Sequence, residues 1–71
     1  MNKSLLELLE EEKTEVIKIK RCKEMFDEFS KNEDLYQDFV LEYKTKIDES
    51  EKRLMKIRKD LRQYLSFLME V

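Results

Sequence analysis

With 71 residues, 45% of them charged, and a net charge of only −2, the chain is one small domain at most, without the basic excess of a polyanion-binding domain. Gly, Pro and His are all absent, which removes positive-φ turns, helix-breaking kinks, glycine loops that cradle phosphates and the ordinary base near neutral pH. The single cysteine, Cys22, excludes an internal disulfide. No apolar run approaches the roughly 20 residues of a transmembrane helix.

Residues 1–9 lack the basic start and long apolar core of a signal peptide, so the expected setting is intracellular, cytoplasmic or nuclear. Asn2 and Ser4 are both residues that cap helices. Ser4 and Glu7 have the Ser-x-x-Glu spacing of a capping box, which predicts a helix from about residue 4. If Leu5 is an a position, one heptad register then runs without a stutter to Val71. Sixteen of its twenty a and d positions are apolar or aromatic, against thirteen of the other fifty-one residues. The four exceptions are Glu12, Glu15, Glu33 and Ser50. Cys22 falls at d, where a free cysteine reads as a small buried hydrophobe.

The first helix is expected to end near Ser30, because Ser30-Lys31-Asn32-Glu33-Asp34, flanked by Phe29 and Leu35, is the one stretch whose capping residues read as an interruption of the helix. Ser30 and Glu33 repeat the capping-box spacing, and Asn32 can cap a second helix with Glu33 and Asp34 in its acidic first turn. That helix, over about residues 34–71, keeps strict 4-3 spacing. Pairs at i,i+4 such as Glu42 to Lys46, Asp48 to Lys52 and Glu49 to Arg53 add support.

Residues 7–15 carry a balance of −4 and residues 52–62 one of +5, while residues 16–31 stand at +2 and residues 33–51 at −5. Folding back near residue 32 sets each block against its opposite, whereas a parallel dimer stacks like on like. The predicted fold is therefore all-α: an antiparallel helical hairpin of coiled-coil type that self-associates into a bundle. The alternative is one long helix in an antiparallel coiled-coil dimer, about 100 Å long at 1.5 Å per residue. Two layer registers fit the hairpin. One sets Glu12 opposite Ser50 as a polar layer, and the other, shifted by a heptad, aligns the charge blocks better.

The seam residues are predicted to be Leu5, Leu8, Ile19, Phe26, Phe29, Tyr36, Val40, Tyr43 and Ile47. The apolar face is wider than a and d, because Leu9, Val16 and Leu65 add e positions and Met25, Phe39 and Phe67 add g positions. Two helices cannot cover so broad a stripe, so more than two packed helices are expected. Leu61, Tyr64, Leu65, Phe67 and Leu68 are the predicted association surface, since the last turns, Tyr64 to Val71, overhang a folded hairpin.

Catalysis finds no support, because Cys22 has no histidine to activate it and no dinucleotide fingerprint is present. The expectation is that the chain is not an enzyme and takes no cofactor. Glu12 and Glu15, one turn apart, are weighed as metal ligands and read instead as register-setting residues or partners for the basic block. The expected function is a structural or assembly module that binds other proteins, as a homo-oligomer or with a partner's helices. The alternative is a small helical regulator binding nucleic acid or an anionic surface through Lys52, Lys56, Lys59 and Arg62; nucleic acid is the less favoured partner, because this basic stripe has an acidic match within the chain.

Overall fold

The structure, a computed structural model, describes residues 3–69; the possible cap Asn2 and the last d position, Val71, lie outside them. Helix α1 spans Leu5–Ser30 and helix α2 spans Glu33–Met69, and the two pack antiparallel as a hairpin. Ser4 starts α1 as the capping spacing predicts. Its backbone is extended at φ −74° and ψ 162°, and its side-chain oxygen accepts a hydrogen bond from the Glu7 N–H at 3.2 Å.

The reversal takes only Lys31 and Asn32, shorter than the predicted turn of residues 30–34. Ser30 closes α1 instead of capping α2, and Glu33 and Asp34 already belong to the first turn of α2. The Asn32 N–H donates to the Phe29 carbonyl at 3.2 Å, and the Asn32 carbonyl accepts from Leu35 at 3.0 Å and Tyr36 at 3.1 Å. Asn32 thus joins the helices through its main chain. No described residue has positive φ, so a chain without glycine turns here at no steric cost. Further rotation is taken up at Tyr36, whose φ of −119° and ψ of 28° leave the helical region inside α2.

Four rings cover the turn. Phe29 stands at their centre, stacked on Phe39 at 5.0 Å and 18° between planes, and tilted against Tyr36 at 5.3 Å and Tyr43 at 5.6 Å. Such offset and tilted contacts suit the ring quadrupoles and seat the break at Tyr36 under packed side chains.

Cross-helix ion pairs select the layer register. Glu15 bonds to Arg53 at 2.7 Å and Glu12 to Arg58 at 3.2 Å, so Leu8 comes level with Leu61, Ile19 with Ser50 and Leu5 with Tyr64. This register aligns opposite charge blocks; the alternative that paired Glu12 with Ser50 is not adopted. Every buried residue of the hairpin (Leu8, Glu15, Ile19, Cys22, Val40, Ser50, Leu54 and Leu61) occupies an a or d position. Of the described seam positions, only Glu33 beside the turn and Leu68 beyond α1 are exposed.

The particle measures 56 × 17 × 14 Å, and its long axis equals the roughly 55 Å expected of the 37-residue α2. The long single rod is therefore not the form this chain takes. Because α1 has only 26 residues, α2 runs past it after Tyr64.

Candidate functional site

The hairpin presents two unlike flanks. In an antiparallel pair the g columns of both helices share one side and the e columns the other. On the g side lie two shallow grooves. The first is bounded by Glu11, Lys18, Arg53 and Asp60 and floored by Leu8 and Ile57; the second by Lys18, Arg21, Lys46 and Glu49 around Cys22 and Tyr43. Acid and base alternate along them, and this flank carries the buried polar node of the seam.

That node is Glu15, Arg53 and Ser50. Glu15 sits at d with its side chain only 11% exposed, and Arg53 bonds to it through Nε while Nη2 donates to the Ser50 hydroxyl at 3.1 Å. Ser50 itself is 0% exposed, a small side chain admitted opposite Ile19. The hydrogen bond to Glu15 holds the Arg53 guanidinium above its already high ordinary value. Every buried side-chain nitrogen and oxygen among the described residues has a partner. Glu12 likewise meets Arg58, so both glutamates weighed as metal ligands face guanidinium groups. Among the described residues no three His, Cys, Asp or Glu side chains converge in a group able to hold a metal ion.

The e side is different in kind. At the open end, where α1 begins and α2 ends, the e and b columns expose Leu6, Leu9 and Val16 on α1 and Met55, Leu65 and Met69 on α2, each between 41% and 86% exposed. Arg58, on this side, is engaged by Glu12, and Glu51 by Lys23 at 3.5 Å. Lys13, Lys20 and Arg62, all at b, are exposed and enter no ion pair among the described residues.

Among the predicted seam residues, Leu8, Ile19 and Val40 are buried, and Leu5, Phe26, Phe29, Tyr36, Tyr43 and Ile47 are half-buried in the same interface. The association group divides. Leu65, Phe67 and Leu68 are exposed on the α2 overhang, Tyr64 is half-buried beside Leu5, and Leu61, at 7% exposure, is enclosed level with Leu8 and belongs to the seam. Leu61, expected with the association surface, lies one layer inside the overhang, because the register sets it against Leu8. Sequence reasoning missed Leu6 and Met55, which occupy b positions outside any core stripe. Their signal was their position beside the e residues Leu9, Val16 and Leu65. It also left Arg53 out of the polar node, since the reach of a g-position arginine depends on a register fixed only by the fold.

No described helix is long and apolar enough to cross a membrane. Comparison with protein-family models finds no match to this chain. Neither a curated protein nor a solved structure matches it at a significant level.

Proposed function

We propose that the chain is a non-catalytic assembly module, a preformed hairpin that offers an apolar helical face to other helices. The observation that carries this reading is the set of large hydrophobic side chains exposed around the open end and the α2 overhang. Helices in a finished particle turn such residues inward, and contiguous exposed apolar side chains mark interaction sites. Surface area points the same way. At 6006 Å², the chain exposes more than the about 4,800 Å² expected of a compact monomer of 8.8 kDa, an excess on the scale of one partner's share of a stable interface. The lack of histidine and glycine supports a role without catalysis.

Capture of partners by the immobilised chain tests the reading, with a Leu65→Glu/Leu68→Glu variant as control. Both positions are exposed, so circular dichroism should be unchanged while retention of helical partners, or of further copies of the chain, is lost. Equal retention by the two proteins overturns the proposal.

A second reading, binding of nucleic acid or an anionic surface, draws on Lys52, Lys56, Lys59 and Arg62, which are all exposed and outside the ion pairs of the described residues. Salt separates the two. Phosphate binding weakens steeply between low and physiological ionic strength, whereas a helical seam holds.

A further inference from the structure

We infer that the e-side face at the open end takes an acidic amphipathic helix of another protein as a third helix. This inference rests on the assembly reading above and names the chemistry of the partner. Three features define the site. The face is apolar along its middle through the e residues Leu9, Val16 and Leu65, and Leu6 and Met55 extend it into the b columns. It lies between two parallel ridges, so a helix laid along it packs its own ridges against both α1 and α2. Over the open half its rims carry one sign of charge: Lys13 stands along the α1 edge and Arg62 along the α2 edge, exposed and without ion-pair partners among the described residues, while Lys20, nearer the turn, comes level with Asp48 and Glu49 of α2.

Most acids beside this rim are directed elsewhere, although Glu10, one turn before Lys13 on the outer face, and Asp48, level with Lys20, enter no ion pair among the described residues. Glu12 and Glu51 are held by Arg58 and Lys23, Glu15 by Arg53, and Glu11 by Lys3. On the open half of this flank, the e and b columns therefore present the cations Lys13 and Arg62 and no free carboxylate; the first one, Asp48, lies toward the turn. A second copy laid face to face brings Lys13, Lys20 and Arg62 of each chain against the same residues of the other, which opposes that dimer. A helix with leucines at i, i+3, i+4 and i+7 and glutamates on both sides of the stripe fits apolar middle and basic rims together.

The test uses the whole chain and two synthetic helical peptides with the same leucine stripe, one flanked by glutamate and one by lysine, titrated by fluorescence anisotropy at physiological salt. The glutamate peptide should bind about tenfold or more tightly than the lysine peptide. Val16→Glu should abolish that binding, and Lys13→Glu/Lys20→Glu/Arg62→Glu should invert the preference. All four positions are exposed, and circular dichroism verifies that each variant remains helical.

Equal binding of both peptides overturns the acidic partner while leaving the assembly reading intact. So does a dimer by sedimentation equilibrium that Val16→Glu dissolves, since a second copy is then the occupant. Failure to bind either peptide or itself, together with binding to vesicles of roughly one part phosphatidylserine to three parts phosphatidylcholine, overturns both.

Discussion

Ser50 and Glu15 are the two polar residues buried in the seam, and Arg53 connects them. A buried carboxylate is tolerated here because a guanidinium reaches it from the edge while keeping contact with water. The node acts on register more than on stability, because sliding the helices by one heptad takes Arg53 away from Glu15 and brings Lys46 or Asp60 to its place, neither of which offers the same guanidinium bridge to Ser50. Glu15→Leu is therefore expected to raise the melting temperature, by burial on the order of 1 kcal/mol, while permitting a second register. Thermal melts and disulfide trapping between cysteines introduced at Leu8 and Leu61 detect the two effects separately. Leu8→Ala, at a position 1% exposed, should cost about 2–4 kcal/mol in urea unfolding. The positions of Glu15 and Ser50 in the stripe could be read from the heptad alone. Their partner could not, because g-position side chains select among several neighbours only after the layers are fixed.

Between the helices, the chain reverses in two residues with ordinary right-handed backbone angles, and Tyr36 absorbs what remains of the turn. Since no position demands positive φ, Asn32→Gly gains nothing in the folded state and adds freedom to the unfolded one. It should lower stability by about 0.5–1 kcal/mol in chemical unfolding. The capping bond from Ser4 to Glu7 is a separate contribution, and Ser4→Ala should cost about 1 kcal/mol by the same measurement. Existence and direction of both helices were legible because capping residues cluster only once between them, at residues 30–34, and opposite charge blocks mirror each other about that point. The turn's extent was less legible. Ser30 and Asn32 are equally good caps in sequence, and the ring cluster around Phe29, which closes the turn early, depends on contacts between residues on both sides of it.

As a whole, the molecule is a two-helix rod 56 Å long with its ionisable groups arranged across the seam and along its edges. The chain lacks histidine, the side chain whose ordinary range brackets neutrality. Hydrogen bonds to Glu11, Glu42 and Glu15 hold Lys3, Lys46 and Arg53 above their ordinary values. A base raised on folding stabilises fully below its unfolded value and loses that contribution only as pH climbs through the folded one. The melting temperature should accordingly stay flat from about pH 6 to pH 8, with loss of these three pairs confined to strongly alkaline solution; a fall within the neutral range contradicts the assignment. Small-angle scattering of the dilute chain should give a maximum dimension near that of α2 and far below the about 100 Å of an unfolded-back helix.

Lys3 and Met69, the first and last described residues, sit together at the open end, opposite the turn. A force drawn between them loads the seam in peeling geometry, so that the layers at Leu5 and Leu8 part before those at Phe26 and Phe29 feel the strain. Such a hairpin gives way layer by layer at low tension, and its last layers to open are the aromatic ones at the turn. Reclosure then begins beside an intact two-residue link, which keeps the partners in register for the return.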